Sequence, residues 1–372
     1  MSVATRGVFI VAAKRTPFGT YGGKFVNKSA CELQEVAAKA AISAAGISPS
    51  AIDSVIIGNV LMCTAPDQIF MPRHVLLRCG IPLEKPALGV NRLCGSGFQA
   101  VANGAQNILT GESNIVLTGG TDNMSQSPYA VRNVRFGAPL AEKLAAQYKI
   151  QRDEVDKFAL RSQQLWKKAQ DGGVFKEELS PVSITVRRKE VVVDVDEHPK
   201  PQATLEGLNK LPPVFKKDGV VTAGSASGIC DGAGAVILAS EEAVKSNNLK
   251  PLARLVGYSV VGVEPSIMGI GPAPAITSLL KTCGKSLNDI DLIEINEAFG
   301  AQTLACAKEL KLDLEKLNVN GGAIALGHPL GASGARITAH LVHELRRRKA
   351  KLGIGAACIG GGQGIALLLE SL

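Results

Sequence analysis

Four polar residues stand in short segments where predicted strands end, and their types suit covalent acyl chemistry. They are Cys94 in NRLCGSGFQ, Asn296 in INEAF, His328 in ALGHPLG and Cys358 in CIGGGQG. A thiolate nucleophile needs a nearby base, and an acyl-thioester intermediate needs hydrogen-bond donors for its oxygen. A second thiol can supply the proton transfer that a carbon–carbon bond reaction requires. Together these residues predict acyl transfer through Cys94.

Cys94 directly precedes a predicted helix that begins around Ser96. Unpaired N–H groups and the helix dipole at a helix start favour a thiolate, so the sequence predicts a lowered pKa for Cys94. The alternative is a buried core cysteine. The segment GSGFQA also fits the dinucleotide pattern G-x-G-x-x-A, which wants an acidic residue about 20 positions later at a strand end. Glu112 lies before the next strand instead, which argues against a nucleotide site.

The other three residues have structural alternatives too. His328 lies in a Gly-Pro turn ahead of an apparent helix, where a purely structural histidine is common. Asn296 stands where a helix cap is the ordinary role of asparagine. Cys358 could act as an acid and base, or could form a disulfide with a nearby thiol.

A duplicated α/β unit is the element that must position these residues. Three pairs of segments resemble each other in the same order along the chain: 44–59 and 281–296, 90–100 and 319–329, 115–123 and 355–364. Each copy is predicted to contain a helix, a strand, a glycine-rich turn, a second helix and a buried strand. The repeat pairs the His328 turn with the Cys94 turn, so we expect the two turns side by side at one end of the sheet.

The repeat also predicts the domain organisation. An N-terminal half covers 1–246 and a C-terminal half covers 250–372, with a polar link between them. A stretch of about 121–220 has no counterpart in the second half and is predicted to be an inserted loop domain. Insertions of this kind usually carry ligand specificity.

Composition narrows the class of protein. The 372 residues are 46% hydrophobic, and the net charge is +8. Apolar runs are short, so no membrane span is predicted, and the basic clusters lack a recognised nucleic-acid module. The eight cysteines include no C-x-x-C pair, so no metal site and a reducing compartment are expected. The N-terminus predicts no secretory signal, and a mitochondrial address within an unprocessed N-terminus stays open.

The sequence resembles the thiolase family, closest to its mitochondrial degradative members. The resemblance runs almost end to end and is carried by VAAKRTPFGTYGG, NRLCGSGFQ, TAGSASGICDGAGA, GIGPAPA, NEAF, NGGAIALGHPLGASGARI and CIGGGQG. It implies a duplicated five-layered α/β/α/β/α fold with a loop domain inserted in the first half. It also implies cleavage of a 3-ketoacyl-CoA by CoA to acetyl-CoA and a shortened acyl-CoA in fatty acid β-oxidation, and the reverse condensation. CoA and acyl-CoA are then substrates, and no cofactor or metal is implied.

The resemblance also assigns roles in catalysis. Cys94 would be acylated, His328 would activate Cys94 and the CoA thiol, and Cys358 would exchange the proton of the acetyl carbanion. Asn296 would fix a water in one oxyanion hole, and the N–H groups of Cys94 and Gly360 would form another.

Two further assignments concern the substrate, and two residues depart from the family pattern. Ser227 would contact the pantetheine of CoA, and Met268 would line the acyl pocket. Lys200 stands where an arginine is expected near a CoA phosphate, and it keeps the charge without the bidentate fork. Ala203 replaces an expected hydroxyl residue.

The larger departure is a shortened loop after Gly137. This segment normally contributes to the tetramer contact and to a wall of the catalytic cavity. We therefore expect a homodimer whose association into a tetramer is weakened. The resemblance to mitochondrial members implies a location in the mitochondrial matrix, or in the cytoplasm if the source is bacterial. The alternatives are a catalytically impaired CoA-binding protein, a biosynthetic acetoacetyl-CoA thiolase, and a ketoacyl-synthase-type condensing enzyme, against which Cys358 argues.

Overall fold

The computed structural model describes residues 2–65, 68–128 and 140–372, in which strands and helices are interspersed. The strands are β1 Ser2–Ala4, β2 Val8–Arg15, β3 Gly19–Thr20, β4 Ser54–Gly58, β5 Ala87–Val90, β6 Ile115–Asn123, β7 Val182–Val186, β8 Lys189–Val193, β9 Cys230–Ser240, β10 Ala253–Gly262, β11 Leu292–Ile295, β12 Leu352–Ile359 and β13 Gln363–Ser371. The helices are α1 Ala30–Ala45, α2 Met71–Arg78, α3 Ser96–Leu109, α4 Leu140–Gln147, α5 Arg152–Asp171, α6 Leu205–Asn209, α7 Glu241–Ser246, α8 Pro272–Thr282, α9 Gly300–Leu310, α10 Ala323–Leu326 and α11 Ser333–Arg348. Within these residues, no helix is both long and apolar enough to cross a membrane.

The two halves build their sheets in the same order. The first half runs β5-β4-β6-β9-β2, and the second runs β11-β12-β13-β10 with a parallel bridge from Ile293 to Leu317 in the place of β5. In both halves the strand pairs at the outer edge are parallel, and the next two pairs toward the junction of the halves are antiparallel. The halves meet where β2 pairs with β10, with Ile10 opposite Ala253. The matching strand order supports the duplication that the sequence predicts.

The helices form three layers around these sheets. Helix α1 packs on the outer face of the first sheet, and α8 packs on the outer face of the second. Helices α3 and α11 contact each other and lie between the two sheets, in a core that includes Phe98 and Ile337. Both strands β6 and β12 are buried along their whole length, as expected for strands covered by helices on both faces. The five-layered α/β/α/β/α prediction is confirmed.

The inserted segment holds α4, α5, the β7–β8 hairpin and α6. Its predicted start is slightly early, because β6 continues through Asn123 and its residues 121–123 pair with β9 in the main sheet. Buried Arg15 of β2 fastens the insertion to the first half through ion pairs with Glu178 at 2.6 Å and Asp196 at 2.8 Å. The shortened loop after Gly137 lies outside the described residues.

Candidate active site

Cys94 lies in the tight turn between β5 and α3. Leu93, the residue before it, has a left-handed backbone with φ 44°, and its N–H donates to Asn91 Oδ1 at 2.9 Å. A left-handed conformation is unusual for a residue with a side chain and marks a turn held by its surroundings. Helix α3 begins at Ser96, two residues after Cys94, as predicted. The turn therefore presents the Cys94 side chain just ahead of the helix start.

The lowered pKa that the sequence predicts for Cys94 is wrong. Burial of the side chain raises the pKa of Cys94 to about 11, and the backbone N–H groups of Gly360 and Cys94 itself lower it only partly. The negative charge of Asp122 raises it further. Burial outweighs the hydrogen bonds because a thiolate loses more solvation than two N–H groups return. The resting side chain is therefore a thiol, with two N–H groups aimed at its sulfur.

Cys358 is the second thiol of this site. It is the penultimate residue of β12, is fully buried, and has a free thiol, as does Cys94. Burial raises the pKa of Cys358 far above its ordinary value, and a charge on Cys94 would raise it further. The two thiols therefore interact electrostatically. Gly360, two residues beyond Cys358, supplies the N–H group at Cys94, so the end of β12 forms one wall of the site.

His328 is a neutral imidazole with a defined tautomer. Burial, followed by the positive charge of Arg336, lowers the pKa of His328 to about 4. The Ser333 hydroxyl donates to the Pro329 carbonyl oxygen at 3.1 Å, so its oxygen accepts the Nδ1–H of His328 at 2.6 Å. This arrangement leaves Nε2 with its lone pair, so Nε2 is able to accept a proton.

Asn296 joins the histidine to the β12 wall. Its Nδ2 lies 3.4 Å from His328 Nε2, and its backbone N–H donates to the Ala356 carbonyl oxygen of β12 at 2.9 Å. Its side-chain oxygen Oδ1 is buried and accepts no hydrogen bond from the residues described. A buried acceptor of this kind normally has a partner, and a water or a substrate group would supply one.

The turns of Cys94 and His328 pack together through glycines. A Cβ atom at Gly97 would lie 2.7 Å from the Gly331 carbonyl oxygen and 2.6 Å from the Ala335 nitrogen. The starts of α3 and α11 can approach this closely only because Gly97 has no side chain. The two predicted turns therefore lie side by side, at the ends of the two central helices.

The residues predicted to hold substrate differ in exposure and in what they contact. Ser227 is half-buried, and its N–H and hydroxyl both donate to the Ala298 carbonyl oxygen, two residues after Asn296. Lys200 is exposed, and its backbone N–H donates to Gln163 Oε1 at 2.8 Å. Ala203 and Met268 are both half-buried. In the part of the chain that is described, no hydrogen bond or ion pair joins these residues to the sulfur of Cys94.

Sequence reasoning missed three buried polar residues near the site. Ser333 fixes the histidine tautomer, and Glu297 accepts hydrogen bonds from Ser162, Asn318 and the N–H of Ile324. Asp122, at the end of β6, acts on Cys94 through its charge. A signal existed for each, because a serine at a helix start and acidic residues at the ends of apolar strands are rarely buried by accident. Among the described residues, no group of three or more His, Cys, Asp or Glu side chains is arranged to hold a metal.

Comparisons with known proteins give the family. The model of the thiolase N-terminal domain matches residues 8–140 and 133–242, and that of the thiolase C-terminal domain matches 249–371. The human mitochondrial 3-ketoacyl-CoA thiolase is 58% identical over 392 aligned positions that cover 98% of each chain. A probable acetyl-CoA acyltransferase of Staphylococcus aureus is 46% identical over 98% of each chain.

Solved structures agree with the sequence comparison. The crystal structure of the human mitochondrial enzyme superposes with a TM-score of 0.96 at 57% identity and covers all of both chains. Its structure in complex with CoA gives a TM-score of 0.94 and covers 99% of this chain and 98% of that one. The 392 aligned positions exceed the 372 residues of this chain by 20, so at least that many positions of the human protein have no counterpart here. The resemblance found in the sequence is confirmed, and the chain belongs to the thiolase family.

Proposed function

We propose that this chain cleaves 3-ketoacyl-CoA with CoA, giving acetyl-CoA and an acyl-CoA shortened by two carbons, through an acyl group on Cys94. The observation that carries the proposal is the meeting of two backbone N–H groups, from Cys94 and Gly360, at the Cys94 sulfur. Two such donors can hold the oxygen of an acyl thioester and of the tetrahedral species that precedes it. The second thiol and a neutral histidine complete the groups that the reaction requires.

In the first half-reaction, His328 Nε2 takes the proton of the Cys94 thiol as the sulfur attacks the 3-keto carbon. The bond between carbons 2 and 3 breaks, and its electron pair stays on the acetyl-CoA fragment as an enolate. The Cys358 thiol gives its proton to that carbon, so acetyl-CoA leaves and the acyl group remains on Cys94. The proton on His328 then passes to the Cys358 thiolate, which restores both groups.

In the second half-reaction, CoA attacks the acyl group. His328 takes the proton from the CoA thiol, and the new thioester forms as the bond from carbon to the Cys94 sulfur breaks. The departing Cys94 thiolate recovers a proton from His328. Because each step is reversible, the same groups run the condensation.

The substrate roles of Ser227, Lys200, Ala203 and Met268 remain those that the family resemblance implies, and the structure supports Ser227 most directly. The human relative has been solved in complex with CoA, which supports CoA as the ligand. Ser227 lies beside the Asn296 segment through Ala298, so it can contact the pantetheine arm near the reacting thiol. Met268 precedes α8 and is only half-buried, which suits a wall of the acyl pocket.

We further propose that the protein acts in the mitochondrial matrix in β-oxidation and associates as a homodimer. Five of the similar proteins are mammalian 3-ketoacyl-CoA thiolases described as mitochondrial. Strand β5 pairs with β4 alone among the described strands and exposes 50% of Leu88, so a second copy can extend the sheet at this edge. Sedimentation velocity should give a dimer, and L88K should shift the protein toward monomer. A stable tetramer would contradict the weakened tetramer expected from the shortened loop.

The test of the proposed activity is CoA-dependent loss of acetoacetyl-CoA and of a longer 3-ketoacyl-CoA, measured by absorbance. The wild-type protein should consume at least one of them, and C94A should consume neither while retaining the wild-type melting temperature. CoA binding without turnover in the wild-type protein would contradict the proposal and favour an impaired CoA-binding protein. The same assay separates a preference for acetoacetyl-CoA, typical of a biosynthetic enzyme, from a preference for longer chains.

A further inference from the structure

Asp122 is a fully buried carboxylate with four N–H partners. Its Oδ1 accepts hydrogen bonds from Asn59 Nδ2 at 2.8 Å, from the N–H of Leu61 at 2.9 Å and from the N–H of Val60 at 3.2 Å. Its Oδ2 accepts from the N–H of Gly331 at 2.6 Å. No lysine, arginine or histidine forms an ion pair with it in the described part of the chain. The carboxylate is therefore held by neutral donors alone, an arrangement that burial makes costly.

The three donors at Oδ1 belong to a segment that supports the Cys94 turn. The N–H of Asn59 donates to the Val90 carbonyl oxygen at 3.1 Å, at the end of the strand that leads to Cys94. Asn91 Nδ2 donates to the Val60 carbonyl oxygen at 3.2 Å, and Asn91 Oδ1 in turn accepts from Leu93, the residue before the cysteine. A continuous series of hydrogen bonds thus runs from Asp122 to the turn that sets the direction of the Cys94 side chain.

The donor at Oδ2 belongs to the His328 turn of the other half. Gly331 lies three residues after His328 and two before Ser333, the partner of the histidine. A Cβ atom at Gly331 would lie 2.7 Å from the Thr121 carbonyl oxygen and 2.9 Å from that of Gly58. The N–H of Gly331 therefore enters a narrow gap in the first half and ends at the carboxylate.

We propose that Asp122 is a positioning residue for acyl transfer, whose carboxylate holds the Cys94 turn and the His328 turn in one fixed arrangement across the two halves. The inference rests on the proposed function, because it concerns the geometry of the same reaction. A misplacement of about 1 Å between reacting groups can cost roughly 100-fold in rate, so a single anchor between the two turns matters.

The chemistry of the site explains why a carboxylate is needed there. All four partners donate, and only an ionised carboxylate offers acceptor positions on both oxygens. An asparagine at this position would keep one oxygen for the three donors at Oδ1 and would turn its NH2 group toward the N–H of Gly331. Two donors would then face each other, so D122N breaks the link to the His328 turn selectively.

The same charge acts on the nucleophile. The negative charge of Asp122 contributes to the raised pKa of Cys94, so its removal should make the thiol more acidic. The other titratable groups of the site are the Cys358 thiol, which interacts electrostatically with Cys94, and the neutral His328 imidazole, and D122N leaves both in place. In D122N, Cys94 should therefore be alkylated faster than in wild type but acylated by the substrate more slowly.

The experiment compares D122N with wild type and with D231N. Asp231 is a second fully buried aspartate, on neighbouring strand β9, and it bonds to Ser125 rather than to either turn. Two rates are measured on each protein: alkylation of Cys94 by iodoacetamide between pH 7 and 10, and acylation of Cys94 by acetoacetyl-CoA, both followed by peptide mass spectrometry. For D122N we expect an alkylation profile shifted to lower pH and acylation slowed on the order of 10- to 100-fold. D231N should keep the wild-type alkylation profile and should acylate faster than D122N.

The outcomes separate this inference from the proposed function. Acylation of D122N at the wild-type rate, or an equal loss in D231N, would overturn the role of Asp122 and leave the proposed function standing. Wild-type protein that is never acylated would contradict the proposed function itself.

If D122N does not accumulate as folded protein, D122E carries the same comparison, because it keeps the charge and displaces the carboxylate by one methylene. Slower acylation than in D231N, with an unshifted alkylation profile, would then support the inference.

Discussion

His328 can act as a base because three features agree on its state. Burial lowers the pKa of His328 to about 4, so the imidazole is neutral at physiological pH. Ser333 fixes the proton on Nδ1, and Asn296 lies at Nε2, where the proton is to be accepted. The sequence places His328 in the correct turn but gives no indication of its tautomer, because that depends on a side chain whose contact forms only when α11 folds.

Replacement of Ser333 by alanine should therefore slow catalysis more than it affects folding. S333A removes the acceptor for Nδ1–H, and a lost buried partner is worth about 1–3 kcal/mol, so kcat should fall roughly 5- to 150-fold. Steady-state thiolysis and thermal melting measure the two effects. S240A is the matched control, because Ser240 caps the start of α7 away from the site and its loss should lower stability without a change in kcat. Equal kcat values for S333A and wild type would show that the tautomer is not set by this contact.

At the scale of elements, the starts of α3 and α11 decide where the reactive groups lie. The repeat in the sequence predicted that the Cys94 and His328 turns would be neighbours, and the glycine contacts between the two helices show the physical reason. The prediction of a lowered pKa for Cys94 was wrong, because it took account of the helix start but not of the burial of the thiol in the folded protein. The role of Asp122 was not predicted, since it depends on one partner, Gly331, that lies 209 positions away in the second half.

A side chain at Gly97 should disrupt this helix contact. G97A places a methyl group against backbone atoms of Gly331 and Ala335, which cannot rotate away, so we expect a loss of about 1–3 kcal/mol in the free energy of unfolding and slower acylation. Urea denaturation measures the first effect and the thiolysis assay the second. In the control G262A, the added Cβ meets no atom within 4 Å and should change neither quantity. A fully stable and active G97A would contradict the close approach of the two helices.

For the whole molecule, buried charges join the first half, the insertion and the second half. Arg15 of β2 pairs with Glu178 and Asp196 of the inserted segment, and Glu178 also bonds to His340 of α11 at 2.7 Å. Burial opposes ionisation of Glu178, but the positive charges of His340 and Arg15 lower its pKa to about 2. The sequence could not predict this network, because its members come from three separate segments and only Arg15 stands in a recognisable motif.

Loss of the Glu178 charge should destabilise the fold in a pH-dependent way. E178Q leaves Arg15 and His340 short of a buried partner, which should cost about 3–5 kcal/mol in the free energy of unfolding near neutral pH. Because the folded pKa of Glu178 is lowered, its contribution is present above the ordinary value of 4.5 and is lost as the pH falls toward 2. The difference in the free energy of unfolding between wild type and E178Q, measured by urea denaturation, should therefore shrink below pH 4.5.

The control variant D153N removes an exposed ion pair with Lys157 and should leave the unfolding midpoint nearly unchanged. A gap between wild type and E178Q that is constant from pH 7 to 3 would contradict the charge network.

The central claim is that Cys94 carries the acyl group, and peptide mass spectrometry of the protein tests it most directly. Wild-type protein and C94A are incubated briefly with acetoacetyl-CoA, digested and examined for an added acetyl group. We predict an acetyl adduct on Cys94 that disappears when CoA is added, and no adduct on C94A at any cysteine. Folded wild-type protein that binds CoA yet forms no adduct, or an adduct of equal extent on C94A, would contradict the account.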